Sequence, residues 1–134
     1  MNTSGSGSGS GSGTDDVLDA ESLRAFCLSF NGAAEEFPFN PETSVFKVEG
    51  KVFALTDLGA DPLKISLKCD PDEAVRLRAA HPEIVPGWHL NKRHWNTVTV
   101  APLPPRHLRE LIEDSYDLVV AGLPRAVRLR LDRP

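Results

Sequence analysis

Val45-Phe-Lys-Val-Glu-Gly-Lys-Val-Phe-Ala-Leu-Thr56, followed after a turn by Leu63-Lys-Ile-Ser-Leu-Lys68, decides the fold class of this 134-residue chain. Val45–Val48 and Val52–Thr56 are rich in β-branched and aromatic residues. Glu49-Gly-Lys51 between them is a short loop whose glycine supplies positive φ, so the pair reads as a β-hairpin. Gly59-Ala-Asp-Pro62 is a second turn. In the third run Leu63, Ile65 and Leu67 alternate with Lys64, Ser66 and Lys68, which predicts a strand with one buried and one cationic face. Parallel neighbours require a crossover of about a dozen residues or more, and these connections are far shorter. The expected fold class is α+β, built on an antiparallel meander.

Downstream, Asp70-Pro-Asp-Glu73 opens a helix: an N-cap acid, proline at the first helical position and acids in the first turn. The helix should run to about Ala80, ahead of His81-Pro82. A loop over Glu83–His89 then delivers His89-Leu-Asn-Lys-Arg-His-Trp-Asn-Thr-Val-Thr-Val100, a cationic and aromatic cluster joined to a strand. Period-two alternation sets Trp95 and Thr99 on one face and Asn96, Val98 and Val100 on the other, with Trp95 expected in the core. Lys92, Arg93 and His94 lie at the mouth of this strand, where they can meet an anion without being buried. Pro102-Leu-Pro-Pro105 resets the chain for a helix from about Pro105 to Ala121, with Leu108, Leu111, Ile112, Ser115, Leu118 and Val119 as its inward stripe. Ala126-Val-Arg-Leu-Arg-Leu131 alternates as an edge strand would, or forms a loose basic terminus.

Upstream, Leu23, Phe26, Cys27 and Phe30 recur at helical spacing, and Gly32 is a natural stop. Pro38 and Pro41 keep Glu36–Pro41 extended, with Phe37 and Phe39 expected to anchor it in the core. Residues 1–14 have no apolar payload and read as a flexible Gly/Ser leader or linker. The chain thus divides into that leader, one domain over 15–125 and a basic tail over 126–134. One domain of this size can bury a single core. No run approaches the roughly 18 apolar residues of a membrane span, so a soluble, cytoplasmic monomer is expected.

The formal net charge of −4 opposes a strongly electrostatic nucleic-acid binder, but the charge is uneven. Seven acidic residues against one basic precede Ser44, and fourteen basic against twelve acidic follow. Nucleophile elbow, phosphate loop, dinucleotide fingerprint and zinc-protease helix are all missing from the sequence, so an enzyme is not expected. His89 and His94 are wrongly spaced to share a face, and nothing nearby completes a tetrahedral metal site. Asp70, Asp72 and Glu73 are explained by capping and the helix dipole, and Asp57 and Asp61 by turn chemistry. Cys27 and Cys69 lack any CxxC spacing and read as small packed residues in a reducing compartment. No cofactor or metal is called for.

Taken in order, Phe37-Pro-Phe39, Phe46–Phe53, Ile65-Ser-Leu-Lys-Cys-Asp-Pro71, Pro86–Val98 and Ser115-Tyr-Asp-Leu-Val119 resemble the MmcQ/YjbR family of small bacterial proteins. Asn91-Lys-Arg-His-Trp95 is the most specific part, and the likeness spans nearly all of Asp19–Arg125. The resemblance implies an antiparallel sheet with helices, related to secretion-chaperone-like folds, and double-stranded DNA binding through β-hairpin wings. Matched by position, the wings are the hairpin around Glu49-Gly-Lys51 and the Lys92-Arg-His94 loop. Lys47, Lys51, Lys64, Lys92 and Arg93 would contact phosphates, with His94 and Asn96 adding polar contacts. Ala101–Arg106 departs from the family's glycine-containing turn before the last helix. A protein partner on the exposed sheet face or an edge strand is the alternative.

Overall fold

The computed structural model describes residues 18–87 and 90–131; the Gly/Ser leader, His89 and the last three residues of the basic tail lie outside the described residues. The strands are β1 (Ala33–Glu36), β2 (Thr43–Val48), β3 (Lys51–Asp57), β4 (Lys64–Lys68), β5 (Ile84–Pro86) and β6 (Trp95–Thr99). They form one antiparallel sheet in the order β1-β2-β3-β4-β6-β5. The helices are α1 (Ala20–Leu28), α2 (Pro71–Ala80), α3 (Pro105–Ala121) and α4 (Arg125–Leu131).

The expected meander is β2-β3-β4. Its first turn is tighter than the sequence suggested: only Glu49 and Gly50 connect the strands, at φ +50° and +78°, and Lys51 already belongs to β3. Two left-handed residues in succession are what a type I′ hairpin requires. Farther along, Phe46 pairs with Ala54 and Lys47 with Val52, leaving Phe53 as an extra, unpaired residue. This bulge lets Phe53 and Ala54 both be fully buried, where strict alternation would expose one. It also frees backbone groups, and α3 supplies their partner. Ser115 Oγ donates to the Phe53 carbonyl at 2.6 Å and accepts from the Lys68 N–H at 2.9 Å, stitching β3 to β4 from the helix side.

The helices cover one face of the sheet. Leu23 and Cys27 of α1, Leu108, Ile112 and Val119 of α3, and Leu131 of α4 share a core with Phe46, Ile65, Leu67 and Val98. α1 begins at a capping box between Asp19 and Ser22, and α2 at Asp70, whose carboxylate accepts from the N–H groups of Asp72 and Glu73. The inward stripe of α3 includes Tyr116, which the spacing argument omitted, whereas Leu118 is 38% exposed. Tyr116 stacks on Phe30 at 4.7 Å, meets Phe53 edge-on at 5.4 Å and donates its hydroxyl to the Asn31 carbonyl.

Four expectations are corrected. Arg125–Leu131 is a helix rather than an edge strand, held by the buried Leu131 and by an Asn31 Nδ2 bond to the Leu131 carbonyl at 2.7 Å. Phe37 and Phe39 are 51% and 68% exposed and do not anchor the core. The loop over Glu83–His89 contains strand β5, and the segment after Gly32 contains β1. Trp95 is half-buried and stands outside the core, because β6 presents the opposite parity to the helices. Asn96 and Val98 pair with Leu67 and Ile65 on the covered face, while Trp95 pairs with Lys68 on the open one.

Candidate functional site

Strand order decides which of the cations meet. β3 and β6 both run antiparallel to β4, which lies between them, and both begin at the same end of the sheet. Ala54 and Asn96 are level, each paired with Leu67. The hairpin before β3 and the Lys92-Arg-His94 loop before β6 therefore emerge from one end, two strand spacings or about 10 Å apart. Between them ends β4, with Lys68 on its outward side.

Lys51, Lys92 and Arg93 are exposed at this end, and His94 is half-buried. The loop is built by its own backbone: His94 and Trp95 N–H groups donate to the Asn91 carbonyl, and Asn91 Oδ1 accepts from the Arg93 N–H at 2.9 Å. Lys92 Nζ donates to the Gly87 carbonyl at 3.1 Å, tying the two sides of the loop together. A β-carbon on Gly87 would come within 2.8 Å of Trp95 Cβ and 3.0 Å of the Trp95 carbonyl oxygen, so only glycine permits this close approach.

The other candidates stand apart. Lys64 lies at the far end of β4, four residues or about 13 Å from Lys68, opposite Thr99. Lys47 points to the open face but forms an ion pair with Glu36 at 3.0 Å. Asn96 is only 3% exposed, on the covered face, and its Oδ1 accepts from Arg78 of α2 at 2.8 Å. It is therefore removed from any surface contact, as the parity of β6 dictates. Lys68 is the strand cation that the sequence reading left out of the site. Its signal was present in the Lys64, Ser66, Lys68 alternation, but choosing between the two ends required the register with β6.

Between the lysines, Ser66 and Thr97 share a hydroxyl hydrogen bond at 2.8 Å on the open face. Beside them a concavity of about 830 Å³ is bordered by Phe39, Leu55, Pro62, Lys64 and Leu90. The two thiols are free. Burial pushes Cys27 up to about 12; burial, then Glu73, Asp70 and Asp114, pushes Cys69 up to about 11, so neither is a thiolate at neutral pH. No group of three or more His, Cys, Asp or Glu placed to hold a metal ion occurs among the described residues. None of the described helices is long and apolar enough to cross a membrane.

Comparison with known proteins adds a lineage to this geometry. The YjbR family model matches residues 28–118, which run from the end of α1 into α3 and include both loops. The chain is 41% identical over 99 residues to YbdF of Escherichia coli O157:H7, covering 71% of this chain and 79% of that protein. It is 33% identical over 107 residues to YjbR of Escherichia coli K12, covering 79% and 91%. Among solved structures, a Deinococcus radiodurans protein of the DUF419 domain family superposes with a TM-score of 0.81 at 44% identity, over 88% of this chain and 91% of that one. A Pseudomonas syringae protein superposes with a TM-score of 0.66 at 28% identity, over 75% and 98%. With its sheet, its two loops and its sequence all matched, the chain belongs to the YjbR family.

Proposed function

We propose that this protein binds the backbone of double-stranded DNA with the end of the sheet at which its two cationic loops emerge. The observation that carries the reading is the co-location of Lys51, Lys68, Lys92 and Arg93, drawn from three separate segments by the antiparallel register. A spacing of about 10 Å between the loops is close to the roughly 12 Å width of the major groove of B-form DNA, so the loops are suited to phosphates on either side of it. Contacts to phosphate fix position without reading sequence, which suits a cluster of lysines and an arginine whose neighbouring amide, Asn91, already accepts from the Arg93 N–H. Four such contacts give a logarithmic salt slope of about −3.6. Titration of a labelled 20-base-pair duplex at several salt concentrations is the test; binding that is undetectable or indifferent to salt overturns the proposal.

The exposure of Phe37 and Phe39, near the apolar concavity lined by Leu55 and Leu90, favours a second reading as a protein-interaction module. Sedimentation and a pull-down separate the two: a stoichiometric protein partner with no DNA retained supports the second.

A further inference from the structure

The covered side of the sheet holds a cleft that adjoins the cationic end at Lys68. It lies between α2 and α3, has a volume of about 460 Å³, and is walled by Leu67, Leu77, Ile84, Val98, Leu111 and Leu118. That volume is in the range of small-molecule sites. Lys68 and Cys69 also border it, and two further polar features break the apolar lining. Asn96 is one: Arg78 can only donate, so its bond to Oδ1 fixes the amide orientation and turns Nδ2 into a buried donor with no partner. A buried donor left unpaired is destabilising, which makes it an unusual group to keep there. The other is the carboxylates Asp70, Glu73 and Asp114 in the same lining. Asp70 is engaged in capping α2 and Glu73 in an ion pair with Arg76. Asp114 is held above the ordinary carboxylate range by burial and then by the negative charges of Asp117, Glu110 and Glu73.

We propose that this cleft binds a small, largely apolar primary amine carrying one hydrogen-bond acceptor, with the acceptor on Asn96 Nδ2 and the ammonium among Asp70, Glu73 and Asp114. The apolar walls take the body of the molecule. Three carboxylates against one lysine, Lys68, disfavour an anion, and a simple hydrocarbon leaves the amide donor unpaired. Nδ2 is shielded from solvent, so the acceptor reaches it by displacing a wall side chain, and Leu118, more than a third exposed, is the one least held by packing.

The test is an NMR titration of the full chain, labelled with ¹⁵N, using three para-substituted benzenes of similar size: 4-(aminomethyl)acetophenone, 4-ethylbenzylamine, which lacks the acceptor, and 4-acetylbenzoate, which reverses the charge. The ketone amine should give saturable shifts at Leu67, Asn96 and Leu111. The ethyl amine should bind about three- to tenfold more weakly, the equivalent of one net hydrogen bond, and the benzoate more weakly still. Asn96→Asp keeps an acceptor for Arg78 but removes the donor, so the ratio between ketone and ethyl amines should fall to about one. Leu118→Trp, at a partly exposed position that tolerates the ring, should fill the cleft and abolish the shifts. Equal binding of ketone and ethyl amines by the wild type, a ratio unchanged in Asn96→Asp, shifts confined to the open face, or no saturable shift with any probe each overturns the proposal.

Discussion

The two faces of this sheet were made by the same strands under different demands. The covered face is an apolar layer, Phe46, Val48, Ile65, Leu67 and Val98, interrupted by the buried Asn96, under helices whose spacing must match it. The open face mixes Lys47, Lys64 and Lys68 with Ser66, Thr97 and the half-buried Trp95 and Leu55. Packing fixes the first in detail, because interiors are close-packed and one misplaced methylene is felt. The second is held by strand pairing and by polar contacts, Ser66 with Thr97 and Lys47 with Glu36, in place of close apolar packing. Position in the register, more than residue type, decides which of its cations lie together.

Breaking the covered face should cost most. Phe53→Ala removes a ring that touches Tyr116 and Phe30 at the bulge, and should destabilise by about 3–5 kcal/mol in chemical denaturation. A loss below 1 kcal/mol would mean that the bulge does not direct Phe53 inward. Ser115→Ala should follow at about 2–4 kcal/mol, since the Phe53 carbonyl and the Lys68 N–H each lose a buried partner. If the loss proves negligible, β3 and β4 close on each other directly and the serine is dispensable. Trp95→Ala tests the open face with an equally large aromatic, yet should cost only about 1–2 kcal/mol because the indole is half-buried. A cost equal to that of Phe53→Ala would erase the distinction between the faces.

Smallest in stability is the pair Lys92→Ala and Arg93→Ala, expected to shift unfolding by no more than about 0.5 kcal/mol as exposed substitutions do. Duplex affinity should nevertheless fall similarly for unrelated sequences, with the salt slope reduced by about 1.8. An unfolded double variant would make these residues structural, through the Lys92 bond to Gly87. A folded one with unchanged affinity would place any DNA contact elsewhere.

Much of this contrast was legible in the sequence, and the failures have physical causes. The meander, α2 and α3 could be read because hydrophobic period, turn chemistry and capping agree there, as at Asp70-Pro71 and across Leu63–Lys68. β1 and β5 are short edge strands, and Ala33-Ala-Glu-Glu36 has neither β-branched residues nor an apolar alternation. α4 is ambiguous in sequence because Val127 and Leu131 suit both a two-residue period and the four-residue helical interval; docking of Leu131 on the core decides. Placing Trp95 in the core puts Asn96, together with Val98 and Val100, on the opposite face, and that parity is the reverse of the one β6 adopts. The site was legible as a set of cations, but their grouping depends on strand order, which adjacent sequence does not encode.

That grouping is tested most directly by comparing salt slopes of duplex binding for the wild type, Lys68→Ala and Lys64→Ala. All three should stay folded, since both lysines project from the open face. The expected wild-type slope is about −3.6, with Lys68→Ala reducing its magnitude by about 0.9 and Lys64→Ala leaving it unchanged. A slope lost with Lys64 and retained without Lys68, or no salt-dependent binding by the wild type, would contradict the account.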